Sequence, residues 1–125
     1  MIRAFLDASV LYAAITSASG ASRELLKWHK RGELRLVFSE YVRFEVERNL
    51  AAKAPQKSGS VELLIDLLDF DLAQPDKALI QKAMIYTEAK DAPVIAGALA
   101  GDCSHVLSFD KQHLLGNTRI SKESG

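Results

Sequence analysis

The chain is expected to form an α/β domain with a mostly parallel central sheet flanked by helices. Three observations lead there. Short apolar runs rich in β-branched and aromatic residues alternate with helical patterns from end to end, as βα units require. Asp7 and Ser39, both suited to cap helices, stand where such runs give way to helical patterns. A length of 125 residues, 48% of them hydrophobic and 26% charged, suits one hydrophobic core. A single domain over residues 1–125 is expected, with a polar tail from about residue 116.

Residues 2–6 form an apolar run that stops at Asp7, and residues 10–15 carry helical rather than alternating character, so a strand feeds a helix. Small residues over 17–21 precede a helical stretch at 22–31, with Leu25, Leu26 and Trp28 among charges. Gly32 suits the left-handed position past its end. Residues 34–38 are β-rich, and Ser39 is placed to cap a helix running from Glu40 to about Ala52. Pro55, Gly59 and two serines mark 53–60 as a loop within the domain. Residues 61–68 read as a short helix, 70–73 as a weak strand, and Pro75-Asp76 as the start of a helix through Tyr86. Asp91-Ala92-Pro93 opens a helix that ends near Gly101; residues 105–108 then read as a buried strand and 111–115 as a short helix.

Sixteen basic and sixteen acidic side chains cancel to a formal net charge of zero. That excludes a wholesale cationic surface gripping nucleic acid by counterion release, so any polyanion contact is local. The single cysteine, Cys103, cannot form an internal disulfide, and no signal-peptide pattern follows Met1; a cytoplasmic setting is expected. The longest nearly uncharged stretch, 92–101, is about half a membrane span, so no crossing is expected.

In a parallel sheet, ligands bind outside the carboxyl ends of the strands, so residues just past each strand come first. Asp7 directly follows the first strand, Asp110 comes two residues after the last one, and Asp91 opens the helix before it. Each also has the simple reading of a helix cap. Glu45 is harder to dismiss. At 100° per residue it falls between Tyr41 and Val42, inside the apolar arc completed by Val46 and Leu50. A carboxylate there needs a partner or a metal, unless its stem packs while its head reaches water.

Four stretches carry a resemblance: Phe5-Leu6-Asp7-Ala8-Ser9-Val10-Leu11, Ser39-Glu40-Tyr41-Val42-Arg43-Phe44-Glu45-Val46, Asp91-Ala92-Pro93-Val94-Ile95-Ala96-Gly97-Ala98-Leu99, and Leu107-Ser108-Phe109-Asp110-Lys111. In this order and spacing they make nearly the whole chain similar to the PIN-domain nucleases, and within them to the toxin-like group that includes the VapC-type toxins. Residue by residue, Asp7, Glu45, Asp91 and Asp110 match the family's four acidic metal-site positions. Ser9 and Ser108 match its small polar supporting positions, where relatives often carry Asn and Thr. The resemblance implies a single PIN-like domain and a metal-dependent endoribonuclease that cleaves RNA phosphodiester bonds. It further implies Mg²⁺ or Mn²⁺ as cofactor, RNA as substrate, the role of toxin in a type II toxin-antitoxin pair with a cognate antitoxin protein, and a homodimer. The alternative is a non-catalytic PIN-like module that binds RNA or protein; the presence of all four acids weighs against it.

Phosphodiester cleavage gives such a cluster of acids its own rationale. Gathered carboxylates repel one another until a cation neutralises them. One or two hard divalent ions on oxygen ligands can hold the attacking and leaving oxygens of an in-line displacement. Asp7 is the expected central ligand, with Glu45, Asp91 and Asp110 completing the site or orienting the water.

The remaining residues invite simpler readings. His29, His105 and His113 lack paired zinc-ligand spacing, and Cys103 reads as a packed small residue. Arg23, Lys27, Lys30, Arg31 and Arg35, around Trp28, read as a solvated charged face with RNA contact as the alternative. Asp102 reads as a surface loop residue, Asp66 and Asp69 as exposed helix residues. A receiver-like phosphoacceptor domain expects adjacent acids after the first strand, and a phosphatase expects an Asp-x-Asp nucleophile. Asp7-Ala8-Ser9 supplies neither, and no glycine-rich nucleotide signature follows any strand.

Overall fold

The computed structural model describes residues 1–17 and 20–109. Their element order is β1 (Arg3–Leu6), α1 (Ala8–Thr16), α2 (Ala21–Lys30), β2 (Arg35–Ser39), α3 (Glu40–Lys53), a 3₁₀ turn (Pro55–Lys57), α4 (Ser60–Leu68), β3 (Asp71–Ala73), α5 (Lys77–Tyr86), α6 (Ala92–Ala100) and β4 (His105–Leu107). The strands and helices expected before residue 109 are present, their ends shifted by at most two residues. The helix expected at 111–115 and the polar tail lie outside the described residues. Two details differ from expectation. The 53–60 loop contains the 3₁₀ turn, started by Pro55 at its first position. Asp69 is not helical: it stands just past α4 at φ 52°, in the left-handed region that Asp tolerates better than most residues.

Among the described residues the strands form one all-parallel sheet in the order β3-β2-β1-β4. Arg3 pairs with Arg35, Val37 with Asp71, and Phe5 with Val106. The chain steps from β1 outward to β2 and β3, then returns to add β4 on the other side of β1. Right-handed crossovers in opposite directions put their helices on opposite faces. Accordingly α5 and α6 pack on each other, and α6 covers the sheet on one side, while α1, α2 and α3 pack on the other.

The pleat sorts the side chains between these layers. Phe5 and Val37 point to α6, whereas Phe38 meets Phe70, which stacks at 4.6 Å on His29 of α2. His29 is a packed residue, 5% exposed. Its Nδ1 accepts the Leu36 N–H at 3.0 Å, which makes Nε2 the donor to the Leu68 carbonyl at 2.7 Å. On α3, Val42, Val46 and Leu50 recur every four residues and are fully buried. Ser39 caps that helix through its Oγ, 3.3 Å from the Val42 nitrogen, and Asp76 caps α5 at 2.8 Å from that of Leu79.

The Ala- and Gly-rich composition of α6 has a direct reason. A Cβ on Gly97 would stand 2.7 Å from Phe5 Cζ, and one on Gly101, just past the helix, 2.9 Å from Val37 Cγ1. The helix lies so close to the sheet that only small residues fit the contact. No helix among the described residues is long and apolar enough to cross a membrane.

Candidate functional site

The reversal of direction at β1 creates a crevice outside the carboxyl ends of β1 and β4, the switch point where open parallel sheets bind ligands. Asp7 sits in it. Its backbone N–H extends the ladder to the Leu107 carbonyl at 3.0 Å. Its side chain is buried, at 8% exposure. Oδ1 accepts the Ala8 N–H at 2.7 Å, and Oδ2 accepts the Ser108 hydroxyl, also at 2.7 Å. Asp7 is therefore the N-cap of α1 and something more, since one oxygen is turned across the crevice to the residue after β4. Ser9 completes the tie: its Oγ lies 3.4 Å from Ser108 Oγ and accepts the Phe109 N–H at 3.0 Å.

Asp91 reaches the same edge of the sheet by register. Arg3 Nε donates to the Gly101 carbonyl at 2.9 Å, and Phe5 lies against Gly97. Two strand residues, about 6.6 Å, thus match four helical residues, about 6 Å. Continued, this brings Asp7 level with Pro93 and Asp91 to about 3 Å beyond. Asp91 is 7% exposed. It occupies the N-cap position of α6 but at φ −93° and ψ −14°, a helical rather than extended conformation, and its side chain makes no capping hydrogen bond. The simple cap reading, which Asp76 satisfies, does not describe Asp91.

Glu45 lies on α3 beside the buried stripe, neither buried nor fully exposed. One turn earlier, Tyr41 presents its hydroxyl to it. That phenol is pushed up to about 12, first by desolvation, then by its hydrogen bond to Glu45 and by the negative charges of Glu45 and Asp7, against a smaller opposite effect of Arg48. Tyr41 is thus exposed to the negative charges of both Glu45 and Asp7. Sequence reasoning placed Tyr41 next to Glu45 on the helical wheel but gave it no role; the i, i+4 spacing was the available signal. The N-termini of α1, α3 and α6 share this edge, and their partial positive charges favour anions there.

Ser9, Ser108 and Asp7 are thus joined by hydrogen bonds, the charges of Glu45 and Asp7 both act on Tyr41, and Asp91 stands at the same edge. Asp110 lies outside the described residues. All these donors are carboxylate or hydroxyl oxygens, the chemistry that Mg²⁺ and Mn²⁺ select. Among the described residues, no three Asp, Glu, His or Cys side chains are gathered as a ready-made metal cage.

The other polar groups are occupied elsewhere. Arg35 donates to Asp71 at 2.7 Å, Arg23 to the Ser17 carbonyl at 3.0 Å, and Arg31 pairs with Glu33 at 3.0 Å. Lys27 reaches Glu24 at 3.5 Å, which leaves Lys30 alone of the five basic residues around Trp28 without a partner among the described residues. Cys103 is buried, and burial pushes its thiol up to about 11, which makes it inert. Asp102 lies in the turn after α6 at φ 55°.

No curated protein of known function matches the chain. The family comparison does: residues 3–112 match the PIN domain, a span that contains β1 with Asp7, α3 with Glu45, α6 with Asp91, and Asp110 beyond β4, and the chain belongs to the PIN domain family.

Proposed function

We propose that the protein is a metal-dependent endoribonuclease that cleaves RNA phosphodiester bonds at the crevice between β1 and β4. PIN domains are generally nucleases, and the observation that carries the finer reading is the buried Asp7 carboxylate, held at 2.7 Å by Ser108 across the switch point. A helix cap alone has no use for that second anchor. Asp7, Glu45, Asp91 and Asp110 are the metal-holding and catalytic acids in this reading, and Ser9 and Ser108 support them. When bound, Mg²⁺ or Mn²⁺ neutralises the acids, polarises the phosphodiester and lowers the pKa of the attacking water. The chain's own work is positional. Ser108 fixes the rotamer of Asp7, Ser9 fixes the turn that carries Ser108, and the Tyr41 hydroxyl orients Glu45 toward the same charge. The four motifs also support the narrower role of a VapC-type toxin, with an antitoxin covering the site and a homodimer as the assembly.

The test is cleavage of labelled single-stranded RNA with Mg²⁺ or Mn²⁺ and with chelator. Asp7→Asn and Asp91→Asn are expected to lose at least about 100-fold in rate, the cost of removing a group that stabilises transition-state charge. They are expected to fold normally, since Asn caps α1 as well as Asp does and the Asp91 side chain makes no capping hydrogen bond to lose. Cleavage that survives chelator, or Asn variants as fast as the parent, would leave the non-catalytic binding module as the better description.

A further inference from the structure

We propose that the cavity beside Tyr41 is a nucleobase subsite that takes one unstacked base of single-stranded RNA next to the bond that is cut. This rests on the ribonuclease reading and names how that site holds its substrate. The cavity, about 330 Å³, opens between the start of α3, the end of β3 and the starts of α5 and α6. Tyr41, Pro75, Ile80 and Pro93 supply apolar walls, and Glu40 and Gln74 supply polar groups.

The lining selects the ligand. Among the described residues no lysine, arginine or histidine lines the cavity, and Glu40 does, so a phosphate is repelled. A flat neutral group with a π-face and a donor-acceptor edge fits instead. Tyr41 is 41% exposed, which leaves it surface to be covered. The Gln74 side chain is exposed and makes no hydrogen bond among the described residues, so its amide offers one acceptor and two donors to a base edge. Single-stranded RNA is held in this way, with bases splayed onto aromatic rings and read along their edges. A chain with no net charge gains especially from such contacts, because a wholesale cationic surface does not supply its affinity.

Position supports the same assignment. Tyr41 belongs to both places: it lines the cavity, and the negative charges of Glu45 and Asp7 act on its hydroxyl. A base against this ring therefore hangs from a backbone passing the candidate acids.

The experiment measures kcat and KM of the full chain, with Mn²⁺, on an RNA oligonucleotide carrying one cleaved bond. The same RNA is also made with an abasic nucleotide on either side of that bond. Tyr41→Ala is expected to lower kcat/KM by about 5- to 150-fold on intact RNA, the range for losing one stacked base, with the loss mainly in KM. Tyr41→Phe, which keeps the ring, should hold KM within about 3-fold of the parent. On one of the two abasic RNAs, Tyr41→Ala should cost no more than Tyr41→Phe, which loses the same hydroxyl. Gln74→Ala should relax base preference at that same position, and fluorescence anisotropy in chelator should show the same order of affinities without turnover. If Tyr41→Ala is folded by circular dichroism and cuts intact RNA with unchanged KM, or if its loss simply adds to that of each abasic substitution, the subsite is wrong while the ribonuclease stands. A parent chain that neither binds nor cuts RNA overturns both.

Discussion

Asp71 receives two guanidinium groups, Arg35 at 2.7 Å and Arg3 at 2.8 Å, and so clips the three adjacent strands β1, β2 and β3 together. The hydrogen bond from Arg35 and, behind it, Arg3 hold its carboxyl down at about 2 despite partial desolvation. An ordinary Asp titrates near about 3.9. Since the folded state binds this proton less readily than the unfolded state, the stabilisation is complete above about pH 4 and is lost as pH falls toward 2. The side chain is 39% exposed, and solvent screening keeps the effect to about 1 kcal/mol or less. Thermal melts against pH should show that Asp71→Asn lowers stability at pH 7 and flattens the acid limb between about pH 4 and 2. An unchanged limb would mean the clip contributes nothing. This cluster was not legible in the sequence, where Arg35 read as a surface cation, because its partner lies 36 residues away. The acids were more legible. Asp7 and Asp91 advertised themselves by standing beside strand and helix ends, but the same placement suits a cap. Only the Ser108 bond on one and the helical backbone of the other separate the two readings.

Helix α6 shows two opposing rules of thumb at work on one residue. In a solvent-exposed helix, Gly→Ala gains up to about 1 kcal/mol from propensity. At Gly97 the added Cβ would meet Phe5 Cζ and Cε2 at 2.7 and 2.8 Å, and Phe5 is fully buried with no room to turn away. Overpacking of this kind costs about 1–3 kcal/mol, so Gly97→Ala is expected to destabilise the protein by about 1–2 kcal/mol net. Denaturant melts measure it, and a more stable variant would show that α6 can lift from the sheet. The same helix sets the level of Asp91 against Asp7, so on the proposed ribonuclease reading the variant should also lower RNA cleavage more than its stability loss explains. At this scale the sequence was informative: period, caps and turn residues located the elements to within two residues. What patterning did not contain was the contact between Phe5 and Gly97. A run of small residues says that something comes close without saying what.

The sheet is built from distant partners. Ala4 pairs with His105, and Ser108 reaches Asp7 across 101 residues. Alternation of strand and helix implies a parallel sheet, but strand order is a property of these long-range pairings, which local pattern does not encode. Hence the expectation stopped at a mostly parallel sheet, and the order β3-β2-β1-β4 with its crevice had to come from the structure. Long-range parallel pairing also slows folding, because loop closure precedes its reward. Trp28 shares a cavity wall with Leu107 and Phe109, so its fluorescence reports the docking of β4. Refolding by this probe is expected in the millisecond-to-second range; a microsecond phase carrying the whole signal would contradict it.

The bond between Ser108 and Asp7 has a consequence during synthesis. A ribosome adds about 5–20 residues per second, so Ser108 is made roughly 5–20 s after the carboxylate it must hold. Throughout that interval Asp7 has no hydroxyl across from it, and the crevice has only one wall. On the proposed ribonuclease reading, this delay withholds the assembled crevice from the messenger and ribosomal RNA around it until most of the chain has been made.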